Sequence, residues 1–148
     1  MSKRVDEAMM HFTGGLLCSQ SILLAYGQQF GIDQNTAMRI ARPFGGGMSR
    51  TCEVCGAVSG AIMVLGLQEQ EVGERTAKEN VYSLTQEFCK RFKERNGSVN
   101  CAQLLGCNLG TTEGQEYFRG NGLIQNCKKY VRDSAVILEE LLGNGQHS

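Results

Sequence analysis

Apolar residues recur along this chain three and four positions apart, and no segment alternates apolar and polar residues for long. The first pattern is typical of amphipathic α-helices and the second of half-buried β-strands. One apolar stripe runs through Val81, Leu84, Phe88 and Phe92, and the inner face of the last predicted helix includes Tyr130. Asp33 is predicted to cap the start of the helix over residues 34–41. The spacing predicts helices over residues 5–12, 18–30, 34–41, 52–65, 74–95, 100–105 and 123–142.

Glycine and proline mark where these predicted helices end. Gly31 and Pro43 follow two of them, and Asn96-Gly97 follows the longest one. Glycine tolerates the left-handed conformation that commonly ends a helix, and the residue before a proline is pushed out of the helical region. Residues 44–50 and 106–112, rich in glycine, are predicted to be loops.

These elements predict an all-α fold, a single-domain bundle of six to eight helices that spans residues 1–148. No second domain is expected, because every apolar stripe is needed to close one hydrophobic core. We find no internal repeat, no linker and no low-complexity segment.

Charge and hydropathy narrow the function classes. Lys plus Arg and Asp plus Glu both number 15, so the net charge is zero. A nucleic-acid-binding protein usually carries a basic excess, and we therefore expect no nucleic-acid partner. No stretch is long and apolar enough to span a membrane, and the N-terminus lacks the apolar run of a signal peptide. We expect a soluble, cytoplasmic protein, whose oligomeric state the sequence leaves open.

Cysteine is the residue type that points to chemistry, since the chain has seven. An odd count suits a reducing compartment in which thiols are free or bind metal. Four of them fall at the start of predicted helices and next to apolar positions: Cys18, Cys55, Cys101 and Cys127. Helix N-termini stabilise thiolates, so their pKa values are expected to be low there. We predict that these four sulfurs meet in one cavity.

Cys52 and Cys55 form a C-x-x-C pair, which would lie on one face of the predicted helix 52–65. This spacing allows either chelation of one metal ion or an easily reduced disulfide. Cys89 lies mid-helix beside Phe88, so a packing role is expected for it. Cys107 falls in a predicted loop.

Gly56 and Gly60 lie four residues apart on one face of the same predicted helix. Glycine inside a helix costs about 1 kcal/mol relative to alanine, so a close neighbour is expected at this face. That neighbour is either another helix or a bound cofactor, and the sequence does not decide between them. Arg42 and Arg50 flank the glycine-rich loop and are interpreted as solvated surface residues.

The chain resembles the C-GCAxxG-C-C family of small proteins, to which redox activity is attributed. The resemblance rests on Cys18, on the segment Cys55-Gly56-Ala57-Val58-Ser59-Gly60, and on Cys101 and Cys127. It covers nearly the whole chain and implies that these four cysteines are the functional residues. Cys101 and Cys107 are both candidates for the third family cysteine, and the Leu104-Leu105-Gly106 context favours Cys101. By the same resemblance, Cys52, Cys89 and Cys107 are additions.

Three functions are compatible with these observations. The first is a redox-active thiolate cluster in which Cys18, Cys55, Cys101 and Cys127 bind an iron–sulfur cluster or another thiolate-bound metal. Such an electron carrier or sensor would act with a redox partner protein. The second is a thiol–disulfide oxidoreductase in which Cys55 attacks and Cys52 resolves. The third is a metal-binding or partner-interaction module without electron transfer.

Overall fold

The computed structural model describes residues 2–143, which are almost entirely helical. Within this range eight right-handed helices form the bundle, and a short left-handed segment, α4, interrupts them. In chain order the elements are α1 (Lys3–Thr13), α2 (Cys18–Gly27), α3 (Gln34–Ala41), α4 (Gly45–Arg50), α5 (Gly56–Leu67), α6 (Glu74–Asn96), α7 (Cys101–Leu105), α8 (Thr112–Gly120) and α9 (Ile124–Leu141). The predicted all-α class is confirmed.

Side-chain caps explain several of the helix starts. Asp33 begins α3 and Asn100 begins α7, and each accepts a hydrogen bond from a backbone N–H of the first turn. Thr111 caps α8 in the same way. These bonds satisfy N–H groups that have no partner inside the helix. The sequence analysis missed α8, although Thr111 was a signal that could have indicated it.

The hydrophobic core surrounds α2, which packs against α1, α3, α5 and α9. Its Tyr26 is fully buried, and the phenol donates a hydrogen bond to the backbone carbonyl of Ala135 in α9. Phe88 and Phe92 of α6 are also fully buried, in agreement with their place in the predicted stripe. None of the helices between residues 2 and 143 has the length and apolar character needed to cross a bilayer.

The start of α5 differs from its prediction. The helix begins at Gly56 rather than at Cys52, so Cys52 and Cys55 do not share a helical turn. Cys52 has φ +67°, which is incompatible with a right-handed helix. Val54 instead forms an isolated antiparallel bridge with Asn100, the residue that precedes α7.

Candidate functional site

This bridge brings two of the predicted site cysteines together. The Cys55 amide donates to the Val99 carbonyl at 2.8 Å, and the Cys101 amide donates to the Glu53 carbonyl at 2.8 Å. The two chain segments therefore run side by side into the N-termini of α5 and α7. As a result Cys55, the N-cap of α5, and Cys101, the first residue of α7, start two adjacent helices.

The left-handed segment α4 forms part of the site. Five successive residues have φ between +61° and +71°: Gly46, Gly47, Met48, Ser49 and Arg50. For a residue other than glycine, the left-handed helical conformation costs about 1–2 kcal/mol. Three such residues in succession are unusual, and strain of this kind concentrates at functional sites.

Local hydrogen bonds hold α4 in this conformation. The Ser49 hydroxyl donates to the Pro43 carbonyl at 2.7 Å, and the Thr51 hydroxyl donates to the Met48 carbonyl at 2.8 Å. The glycine at position 47 is required by its surroundings, because a β-carbon there would lie 2.5 Å from the β-carbon of Cys101. The segment therefore forms a wall directly against the Cys101 side chain.

A close approach of α2 and α5 positions Cys18. A β-carbon on Gly60 would lie 2.9 Å from the Ser19 carbonyl, and one on Gly56 would lie 3.2 Å from the Ser19 amide. Helix packing therefore accounts for Gly60, one of the two alternatives left open by the sequence. Gly56 also lines the cavity described next, whereas Gly60 does not. Contact of either glycine with a cofactor stays a prediction.

The four predicted cysteines line one cavity of about 410 Å³: Cys18, Cys55, Cys101 and Cys127. The structure thus brings together side chains from α2, α7 and α9 and from the residue that caps α5. The other lining residues are mostly apolar: Phe12, Leu16, Leu17, Leu104, Leu105, Leu109, Phe118, Ile124 and Tyr130, with Thr13 and Gly15, Gly46, Gly47 and Gly56. The thiols therefore face a small, largely apolar space with no acidic or basic side chain in its lining.

Two of the thiols form a pair. A side-chain hydrogen bond with Cys18 is the main reason why the pKa of Cys127 is lowered. The same bond, followed by burial and the charges of the other thiols, raises the pKa of Cys18 well above its ordinary value. Cys127 is therefore the more acidic thiol of the pair.

Burial sets the protonation of the other two cavity thiols. It raises the pKa of Cys55 to about 11, although hydrogen bonds from the backbone N–H groups of Ala57 and Val58 oppose the shift. Burial also raises the pKa of Cys101 to about 12, and the charges of Cys55 and Cys127 add to it. The expectation that helix starts lower the pKa of all four thiols is therefore wrong for Cys18, Cys55 and Cys101. The helix effect is real at Cys55 but smaller than the cost of removing a charge from water.

The remaining cysteines lie outside the cavity lining. Cys52 is partly exposed, and its thiol donates to the Asn108 side-chain oxygen at 2.9 Å. Cys107 is also partly exposed. Cys89 lines a separate surface hollow on α6, apart from the site. The catalytic roles predicted for Cys52 and Cys55 stay predictions.

The four cavity thiols are candidate ligands for a metal centre. Four thiols are the right kind of ligand for an iron–sulfur cluster or zinc. Among residues 2–143, however, no three Cys, His, Asp or Glu side chains are grouped so that they could hold one metal ion. The thiols as placed do not fit such a centre, and the assignment of Cys18, Cys55, Cys101 and Cys127 as metal ligands stays a prediction.

Sequence reasoning missed part of the cavity wall. Phe118 belongs to α8, which was not predicted, and Leu17 precedes α2. Tyr130 was placed on the inner face of the last helix, but its contact with the site was not foreseen. Its hydroxyl donates to the Leu104 carbonyl at 2.9 Å and so ties α9 to α7 across the cavity.

Comparison with known proteins identifies the family. A model of the family described as "putative redox-active protein (C_GCAxxG_C_C)" matches residues 16–141. The chain belongs to this family. The C_GCAxxG_C_C match includes all four cavity cysteines and both glycines of the α2–α5 contact.

The chain is also similar to a protein of an archaeon. A protein of Archaeoglobus fulgidus that carries the name "Uncharacterized protein" is 31% identical over 96 residues, which are 59% of this chain. The matched region covers 64% of the length of that protein, so the present chain spans less than two thirds of it. No solved structure matches the chain.

Proposed function

We propose that this protein is a dithiol–disulfide redox protein whose reactive pair is Cys18 and Cys127. The observation that carries the proposal is the placement of both thiols in one largely apolar cavity, where their interaction shifts the two pKa values in opposite directions. A thiolate is the attacking species in thiol–disulfide exchange, and Cys127 has the lowered pKa. The family description, which names redox activity, is consistent with this chemistry.

The reaction is an exchange with an external disulfide. The Cys127 thiolate attacks one sulfur of that disulfide, and the other sulfur leaves as a thiolate. Cys18 passes its proton to this departing thiolate and attacks the Cys127 sulfur, which forms the Cys18–Cys127 disulfide and releases the second sulfur as a thiolate that water protonates. Two protein thiols are oxidised and one external disulfide is reduced to two thiols. Cys55 and Cys101 stay protonated throughout, because their pKa values are raised by burial.

The test is to locate the disulfide. Reduced protein is oxidised with diamide without oxygen, the remaining thiols are alkylated, and disulfide-linked peptides are identified by mass spectrometry. We expect a reversible link between Cys18 and Cys127. It should be absent from Cys127→Ala and unchanged in Cys89→Ala, the matched control, whose thiol lies outside the cavity. A reversible link between other cysteines, or none, would contradict the proposal.

A thiolate-bound metal is the second candidate, and it is supported by the residue types alone, since four thiols line one cavity. An absorption spectrum of protein purified without oxygen separates the candidates. Visible charge-transfer bands that bleach on reduction would indicate an iron–sulfur cluster. A colourless protein that holds zinc would indicate a metal-binding module without electron transfer. A colourless, metal-free protein with a reversible disulfide is the result expected here.

A further inference from the structure

A second hollow adjoins the thiol cavity. It has a volume of about 470 Å³ and shares four lining residues with the cavity: Leu17, Gly46, Leu109 and Phe118. Helix α8 and the left-handed segment α4 form its two sides. The two hollows are therefore neighbours on the surface of the protein and share part of their lining.

The second hollow is positively charged. Arg50 and Arg119 line it, and no acidic side chain lines either hollow. Neither arginine forms an ion pair with any of residues 2–143. The other polar side chains are already used, since Ser49 donates to Pro43 and Gln115 donates to the Leu109 carbonyl. The two guanidinium groups are thus the free charged donors of this hollow.

The backbone at Arg50 supports a binding role. Arg50 is the last of the five left-handed residues, with φ +67°. Its carbonyl lies so near Gly110 that a β-carbon on that glycine would be 2.7 Å away. A strained position held by its surroundings is typical of ligand-contacting residues. Arg50 is exposed, as the sequence indicated, but the left-handed segment that positions it is not visible in the spacing of apolar residues.

We propose that the two hollows together bind a small anionic disulfide or its dithiol, with the anionic head at Arg50 and Arg119 and the sulfurs in the thiol cavity. The inference rests on the proposed dithiol function and names its substrate class. A guanidinium suits a carboxylate or phosphate because it donates two parallel hydrogen bonds. The apolar wall suits the chain between head and sulfurs. The exchange is balanced, since the protein pair and the small molecule trade one disulfide for two thiols.

Dihydrolipoate and its neutral amide, dihydrolipoamide, test the proposal. Both carry the same dithiol on the same chain, and only the first has an anionic head. The oxidised protein is reduced with each of the two compounds. The rate is measured by alkylating the thiols that appear and counting them by mass spectrometry. We expect dihydrolipoate to react faster. The double variant Arg50→Gln/Arg119→Gln should lose about 10-fold or more of that rate, because it removes the charge-assisted hydrogen bonds to the anionic head. Its rate with dihydrolipoamide should fall much less than its rate with dihydrolipoate.

Arg39→Gln is the matched control, because Arg39 is an exposed arginine on α3 that lines neither hollow. It should behave as the parent does. Equal rates for the acid and the amide, with no effect of the arginine variants, would overturn the anionic site and leave the dithiol function intact.

Octanoate has an anionic head on an apolar chain but no sulfur. Its binding therefore tests the anionic site separately from the dithiol function. Calorimetry should show it binding to the parent and to Arg39→Gln alike, and about 10-fold more weakly to the double variant. If octanoate binding depends on the arginines but no reversible Cys18–Cys127 disulfide is found, the dithiol function is overturned and the anionic site is kept. Octanoate binding that does not depend on the arginines would overturn the site itself.

Discussion

Gly47 packs against Cys101 so closely that a β-carbon on residue 47 would lie 2.5 Å from the Cys101 β-carbon and 3.0 Å from its sulfur. The residue also has φ +71°. We therefore predict that Gly47→Ala destabilises the fold by about 1–3 kcal/mol through overpacking, in addition to the cost of left-handed backbone. Urea unfolding measures the change.

Gly106→Ala is the control that separates these two costs. Gly106 also has φ +71°, but a β-carbon there would meet no atom within 4 Å. This variant should show only the backbone cost. If both variants lose the same stability, the contact between Gly47 and Cys101 contributes nothing, and the wall of the cavity is looser than the structure indicates.

The sequence predicted the helices well where one face of each is buried. The stripe through Phe88 and Phe92 and the cap at Asp33 both predicted elements that the structure contains. The four helix-start cysteines line one cavity, as expected. The prediction succeeded because an apolar stripe and a helix end together determine where a side chain points.

The sequence could not predict features that depend on tertiary contacts. The left-handed segment leaves no periodic pattern, since its glycines are equally typical of a loop. The pKa values of Cys55 and Cys101 depend on burial, which outweighs the helix N-terminus. The pairing of Cys18 with Cys127 joins two helices that are far apart in the sequence, and the spacing of the cysteines does not reveal it.

Gly60 tests the contact between α2 and α5. A side chain on residue 60 would press on the Ser19 carbonyl at 2.9 Å and the Ile22 β-carbon at 3.2 Å. We expect Gly60→Val to lower the melting temperature, with a loss of about 1–3 kcal/mol or more. Gly66→Ala, in the same helix with open space around it, should be neutral or stabilising by up to about 1 kcal/mol. Equal stability of Gly60→Val and the parent would show that the helices do not approach at this point.

The hydrogen bond from Cys18 should control the ionisation of Cys127. In Cys18→Ala the donor is lost, so the pKa of Cys127 is expected to rise. Cys18→Ser retains a hydroxyl donor and should keep more of the lowering. The rate of iodoacetamide alkylation at Cys127, measured against pH, reports the change. Identical pH profiles in the parent and in Cys18→Ala would mean that this bond is not formed in solution.

Cys52→Ala tests the C-x-x-C hypothesis against the Cys18–Cys127 pair. Cys52 does not line the cavity, and its thiol is engaged with Asn108. We therefore expect Cys52→Ala to form the reversible disulfide as the parent does, at the same potential within error. The Cys89→Ala variant is the control for loss of a thiol elsewhere. Loss of the reversible disulfide in Cys52→Ala alone would support the role predicted for Cys52 from the sequence.

Alkaline pH should destabilise the fold through the buried thiols. The folded protein holds the proton of Cys55 up to a pKa of about 11, whereas an ordinary cysteine loses it near 9.0. A thiol whose pKa is raised by folding contributes stability that is full below about pH 9. This contribution is lost as the pH rises towards 11, because the unfolded chain ionises first.

At about 1.4 kcal/mol for each pKa unit, the loss of stability from Cys55 is on the order of 3 kcal/mol. Urea unfolding of the parent and of Cys55→Ala at a series of pH values measures this loss together with the effect of the Cys55 charge on Cys101. The stability difference between the two proteins should shrink steadily above pH 9, and a constant difference would mean that Cys55 is not buried from water.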